Sequence, residues 1–395
     1  MKNPIFILSI LLPLLLGAQT EKQSKWLVQG YLKYLNASLF IPADRSPLPI
    51  IQSKKFLLND NLLHNRLKIK YFANNQLTFH AEIRNRIFWG DQVRFTLLSG
   101  GDFIKNTDLA SDNFFDWSVG LQNNSGYALH TTLDRFYAEW TPGNWEVRLG
   151  RQRVNWGIGT IWNPNDIFNA YNFTDFDYEE RPGSDALRVK RYLGFASSLE
   201  VAVNAFRKKR EAIGAIKANF HSGACDWQLL AGVARQHLTF GGGWAANLGS
   251  AGFKGEASLF APLTDTLNNS FALTLSVDYA FENQLYINGG LLFNSNGTTT
   301  AGGNLLAFRL SARNLYPYKY SGLVQLNYPI TPLVNGGFIV VYSPGKANAL
   351  FVNPLLTYSL SQNWDLDLVG QFFFQKRKKY RSEVLAGFIR IKWNF

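Results

Sequence analysis

The chain has 395 residues, 40 Lys and Arg against 28 Asp and Glu, one Cys, and an aromatic content of 15%. Charged residues make up only 17%, below the roughly 25% usual for soluble domains, yet beyond the N-terminal segment no stretch approaches the roughly 18 uncharged apolar residues of a membrane helix. A polytopic helical membrane protein is excluded and a helical enzyme disfavoured, which leaves a large β-protein that meets apolar surroundings through alternating hydrophobicity.

Met1-Lys2-Asn3 is a short basic start, Pro4 to Leu16 an uncharged apolar run, and Gly17-Ala18-Gln19 a small-residue stretch suited to cleavage after Ala18. The run is too short to span a bilayer, so residues 1–18 are expected to be a secretory signal peptide and 19–395 a single exported domain. With Cys225 alone, no internal disulfide and no CxxC redox or zinc motif can form.

Period-2 alternation begins at Lys25. In 64–71, His64, Arg66, Lys68 and Lys70 oppose Leu67, Ile69 and Tyr71. In 77–87, Leu77, Phe79, Ala81, Ile83 and Ile87 oppose Thr78, His80, Glu82, Arg84 and Arg86. Glu146, Arg148 and Gln152 oppose Trp145, Val147 and Leu149 in the same way. Successive side chains on a strand face opposite ways, so each segment has one apolar wall and one charged wall.

The stretch from Arg148 to Arg188 departs from this pattern. A strand ends in Arg151 and Arg153 and enters a connection that carries Trp156, Ile161, Trp162, Ile167, Phe168, Tyr171, Phe173, Phe176 and Tyr178. So many large apolar side chains want burial, and a barrel offers only its lumen, so an infolded loop is expected. Gly150-Arg151-Gln152, Trp156-Gly157, Asn163-Pro164, Asp166, Pro182-Gly183 and Leu187-Arg188 form a GRQxxxWG, NPxD, PGxxxLR series. This series resembles a segment of porin-like outer-membrane families that include alginate-export-type channels and relatives of unassigned role. The resemblance covers about 40 residues. It implies a passive-channel barrel and carries no specific solute.

Further alternating segments follow at Leu199/Val201/Val203, Phe271 to Tyr279 and Trp364/Leu366/Leu368. The last segment sets Leu385, Gly387, Ile389, Ile391, Trp393 and Phe395 against Ala386, Phe388, Arg390, Lys392 and Asn394. Tight connections (73–75, 141–144, 194–196, 221–224, 249–252, 281–283, 329–332, 361–363) alternate with long or charged ones, the pattern of periplasmic turns and outer loops. Counting by that rule predicts an all-β, closed antiparallel transmembrane barrel of about 18 strands with both termini periplasmic, or 16 if the Gly-rich 239–261 stretch pairs differently. The sheet must close, because lipid cannot satisfy an open edge.

The polar faces give the candidate pore wall: Arg66, Lys68, Arg84, Arg86, Arg135, Arg148, Arg188 and Lys190. The loop supplies Asp166, Asp175, Asp177, Glu179, Glu180 and Asp185. An acidic loop facing a basic wall would set a transverse field and select for charge. Asp175-x-Asp177-x-Glu179 is weak as a Ca²⁺ motif. His64, His80, His130, His221 and His237 show no metal or catalytic spacing, and no Gly-x-Ser-x-Gly elbow exists, so no enzyme, metal or cofactor is expected. Arg207-Lys208-Lys209-Arg210 and Lys376-Arg377-Lys378-Lys379 fall in outer connections, where lipid and lipopolysaccharide phosphates are expected partners and nucleic acid is not. The expected function is a porin-like channel for small, anionic solutes in the outer membrane of a Gram-negative-type bacterium. The competing expectation is a non-conducting barrel that serves an oligomer, a lipoprotein or assembly machinery.

Overall fold

Alternation in the sequence becomes alternation in burial. Over Ser198–Asn204, Leu199, Val201 and Val203 are exposed while Glu200, Ala202 and Asn204 are buried. A computed structural model describes residues 24–42, 55–107, 113–123, 126–169, 183–265, 267–301, 308 and 310–395. The expected signal peptide, Asp175, Asp177, Glu179, Glu180 and Pro182 lie outside these residues.

The strands are β1 (Trp26–Pro42), β2 (Lys55–Phe72), β3 (Leu77–Gly90), β4 (Ser118–Asn123), β5 (Tyr127–Trp140) and β6 (Trp145–Gln152). They continue as β7 (Ser184–Tyr192), β8 (Ser198–Asn204), β9 (Ile213–Ser222), β10 (Cys225–Ala234), β11 (His237–Leu248), β12 (Ala251–Pro262) and β13 (Ser270–Ala280). The last six are β14 (Tyr286–Asn294), β15 (Tyr320–Thr331), β16 (Val334–Ser343), β17 (Ala349–Ser361), β18 (Trp364–Lys376) and β19 (Tyr380–Asn394).

All pairings between strands are antiparallel, and β1 pairs with both β2 and β19, which closes the sheet. Among the described residues β4 is the exception to neighbour order. β3 pairs directly with β5, and β4 joins the opposite edge of β5 only at Tyr127–Thr132, above the stretch where β6 pairs. The wall is therefore a closed barrel of 18 strands, and β4 fills the outer part of the slot that the short β6 leaves. β11 and β12 pair along their full length, so the Gly-rich region contributes two wall strands and the count of 16 is ruled out.

The expected tight turns join strands at the end where β1 begins and β19 finishes. The long β3–β4 connection carries two short helices, α1 (Asp91–Leu98) and α2 (Phe103–Thr107), which the alternation did not signal. Their buried Val93 and Phe103 pack on Ala128 and Phe88. The outward face carries exposed Leu149, Leu229, Leu259, Leu291 and Leu368, with Trp26, Trp140, Trp145 and Trp364 near the terminal end, the composition of a lipid-facing band and its aromatic girdle.

The register is testable at one dipeptide. Leu275 faces out beside Leu291, and Ser276 faces in beside Lys254. Leu275→Arg is expected to cost about 2–4 kcal/mol in reversible unfolding from lipid vesicles, and Ser276→Arg less than about 1 kcal/mol. Equal costs would overturn the register.

Candidate lumen site

The lumen is organised by the point where β6 leaves the wall. Gly150 has a φ of 119°, and a Cβ there would collide with the Phe136 carbonyl, so only glycine serves. One residue on, Arg151 faces Asp185 of β7, with Nε–Oδ1 2.7 Å and Nη2–Oδ2 3.0 Å. The same guanidinium donates to the Leu133 carbonyl of β5 at 3.2 Å and to the Phe115 carbonyl of the inserted segment at 2.5 Å. Asp185 accepts the Phe115 amide at 2.9 Å, and the Trp117 ring lies 4.7 Å from the guanidinium carbon. Side chains here replace the ladder bonds that β6 would have made. Arg151 and Asp185 therefore hold the wall together, which the sequence reading had assigned to the infolded loop and its charge.

From Gln152 the chain runs inside. Val154, Trp156, Trp162, Asn165, Asp166, Ile167 and Phe168 are buried, while Arg153 is exposed. Trp156 Nε1 donates to Glu200 of β8 at 2.5 Å, and Gln228 of β10 donates to the Trp156 carbonyl at 2.7 Å. Glu256 of β12 accepts the backbone amides of Ile158, Gly159 (2.5 Å) and Asn165 (3.1 Å). Ser258 donates to Pro164 and Asn165, and Asn165 donates to the Gly242 carbonyl at 2.9 Å. Gly157 lies so close to Asn163 that a Cβ would collide with its side chain, which gives the WG and NP positions a shared physical reason. The buried Asp166 accepts the Trp156 amide at 3.4 Å.

The far end of this segment meets a second infolded connection. Trp162 packs against Tyr316 at 5.9 Å between ring centroids, in a cluster with Leu315, Tyr318, Leu292, Phe351 and Phe373. Asn294 donates to the Tyr316 carbonyl at 2.7 Å, and Tyr318 donates to Gln375 at 3.0 Å. Burial pushes the Tyr316 phenol up from its ordinary value, so it stays neutral. Sequence reasoning missed this segment, although Leu315-Tyr316-Pro317-Tyr318 carries the aromatic signal used for 155–184.

Opposite the aromatic half, charged side chains form a belt across β2 to β9. A bulge in β5 leaves Asp134 between Leu133 and Arg135 with no partner on β3, which turns Asp134 and Arg135 inward together. Arg66 meets Glu82 at 2.7 Å and Asp134 at 2.8 Å, Arg84 meets Asp134 at 3.0 Å, and Arg135 donates to the Asp134 carbonyl at 3.0 Å. Arg86 Nη2 lies 2.7 Å from His130 Nδ1. Lower on the belt, Arg148 meets Glu139 (2.6 Å) and Glu146 (2.9 Å), and Arg188 meets Glu146 and Glu200, each at 2.7 Å. Lys217 lies 3.7 Å from Glu200 and 5.3 Å from the Trp156 ring centroid. Lys68 is opposite Glu82, and Lys190 is opposite Glu146 and Glu200 with its ammonium 4.4 Å from the Tyr192 ring.

All eight predicted wall residues thus fall in one belt. Among the described residues, their carboxylate partners Glu82, Asp134, Glu139, Glu146 and Glu200 come from the wall itself. Glu82, Glu139, Glu146 and Glu200 occupy the same alternating positions as the basic residues, so the pattern that found one sign contained the other. Asp134 was hidden because a bulge breaks the period. Glu200 joins belt to loop, since it holds Arg188, Lys217 and Trp156 at once.

The geometry defines a transmembrane β-barrel whose lumen is narrowed by inward-folded chain. No family model and no curated protein matches the sequence. Among solved structures, the chain is similar to OccAB2 of Acinetobacter baumannii (TM-score 0.58, 9% identity, 93% of this chain and 98% of that one). It is also similar to OccK3 (OpdO) of Pseudomonas aeruginosa (TM-score 0.56, 10% identity, 93% and 95%) and to OpdQ of the same organism (TM-score 0.56, 7% identity, 93% and 97%). The shared feature is the fold.

Asp185→Ala is expected to cost about 3–5 kcal/mol in unfolding from vesicles, because it leaves Arg151 buried without its counter-charge. A loss below about 1 kcal/mol would remove the pair from its role in the wall.

Proposed function

We propose that the chain is a porin-like channel of the outer membrane of a Gram-negative-type bacterium, open to passive diffusion of small solutes and selective for anions. The observation that carries this reading is the belt. Around Asp134 and Glu82 stand four arginines, Arg66, Arg84, Arg86 and Arg135, so the described wall strands present more basic than acidic side chains to the lumen. Charge that faces a lumen sets which ions pass. The segment 150–188, with its resemblance to passive-channel families, supports the same reading, as does the barrel fold. Binding and diffusion, without a catalytic step or cofactor, suffice for such a protein.

Two measurements in planar bilayers test it. Combined Arg84→Gln, Arg86→Gln and Arg135→Gln is expected to lower the anion-to-cation permeability ratio several-fold in a salt gradient, with conductance retained. Unchanged selectivity would remove the belt from the ion path. Glu256→Ala removes the acceptor of three loop amides and is expected to raise conductance and expose 155–165 to protease. Absence of conductance in both wild type and Glu256→Ala would favour a plugged scaffold that serves other membrane proteins.

A further inference from the structure

The outer wall changes character where the last strands meet the first. Gly370, Gly387, Ser38 and Asn59 are successive cross-strand partners on β18, β19, β1 and β2, and Leu368, Ile389, Asn36 and Asn61 form the adjacent row. The small residues leave a groove of about 490 Å³, bounded by Pro354, Leu356, Leu368, Phe372, Ile389 and Asn36. One side of the groove is apolar. The other is a closed polar network: Asn36 donates to Asn59 and Asn61 at 3.1 and 2.9 Å, Asn59 to Ser38 at 3.1 Å, and Tyr34 to Asn61 at 2.7 Å.

Above the groove, the same two strands end in a basic hairpin tip. Lys376, Arg377, Lys378, Lys379 and Arg381 are exposed there. Nearby Glu383 is buried and pairs with Arg377 at 3.2 Å, and Lys376, Lys378 and Lys379 make the tip basic. Phe374 and Tyr380 stack at 6.2 Å between tip and groove. From Gly370 to Lys376 the strand climbs about 15 Å, at ~3.3 Å per residue and a tilt near 40°, the scale of a saturated acyl chain below its headgroup.

We propose that the β17–β19/β1 seam is a binding site for one phosphorylated, multi-acyl outer-leaflet lipid, its phosphate on the Lys376–Arg381 tip and an acyl chain in the Gly370/Gly387 groove. The site rests on the membrane reading above for the leaflet that the tip faces. Charge complementarity selects this occupant. Basic groups gathered at one membrane level attract a lipid phosphate and would repel the same tip of a second copy. The larger outward groove of about 610 Å³ at Gly289, Leu291 and Gly322 has no run of consecutive basic residues beside it among the described residues, Lys319 and Lys346 standing singly, and serves as a control.

The test is native mass spectrometry of detergent-purified barrels incubated with lipopolysaccharide or with phosphatidylethanolamine. A Cβ at Gly387 or at Gly289 meets open space, so each can be enlarged without disturbing the wall. Wild type and Gly289→Leu are expected to retain one lipopolysaccharide each. Gly387→Leu and the triple Lys376→Gln/Lys378→Gln/Lys379→Gln are expected to lose about tenfold or more of it, with phosphatidylethanolamine failing to compete. Equal retention in Gly387→Leu and Gly289→Leu, or competition by phosphatidylethanolamine, would overturn the proposal. If Gly387→Leu fails to fold, the triple lysine variant decides alone. Conductance recorded on the same samples separates failure of this site from failure of the channel reading.

Discussion

No backbone amide or carbonyl can be left open to hydrocarbon, and the structure turns on one place where that rule is strained. β6 departs from the wall at Gln152 so that chain can enter the lumen, which strips β5 of a partner. The Arg151–Asp185 pair and the inserted segment 113–123 repair the breach together: Arg151 covers the Leu133 and Phe115 carbonyls, and Trp117 receives the Leu133 amide at 3.0 Å. A buried ion pair is seldom the strongest way to stabilise a core. Here it offers donors and an acceptor in the fork geometry that three separate backbone groups require. Everything in the lumen depends on that repair, because without it no loop could leave the wall.

The interior that results has two unlike halves. Aromatic side chains from both infolded connections pack on β7 to β18, Trp156 and Phe168 on the earlier strands and Trp162, Tyr316 and Tyr318 on the later ones, and ionised side chains line β2 to β9. Their boundary is Glu200, whose carboxylate is shared between arginine, lysine and indole. Pairing within the belt keeps buried charge affordable in a low-dielectric wall, and the bulge at Asp134 concentrates arginines about a single acid. A solute in transit would meet a rigid array of donors held in place by their own counter-ions. In the channel proposed above, such an array would discriminate by sign and size with no moving part.

Most of the wall was legible in the sequence, because a strand between lipid and water has to alternate and a turn between such strands has to be short. Burial of Trp156, Trp162, Ile167 and Phe168 was also legible, since no surface loop tolerates them together. What escaped has a physical reason in each case. Arg151 reads as a lumen charge until the missing strand beside it is seen. Asp134 lies at a bulge, where period-2 counting fails. Glu256 is one acid in a Gly-rich strand, and only the loop amides that converge on it distinguish it from a solvated carboxylate. Tyr316 and Tyr318 carried the same signal as the first loop, but a second occupant of the lumen becomes evident only when Trp162 is found against them.

The length of these tethers bears on how such a barrel is made. Ile158 is held by a residue 98 positions further along the chain, and Trp162 rests on partners from β14 to β18 that emerge later still. The β1–β19 seam joins the two ends. The far end of the loop therefore has no docking surface until most of the sheet exists, and no way in once the seam is zipped, short of threading through a finished pore. Assembly must proceed as an open sheet curling around its own contents. That order loads the route with long-range contacts, which form slowly. A late-closing seam between first and last strands is the part of the molecule that insertion machinery would have to hold apart.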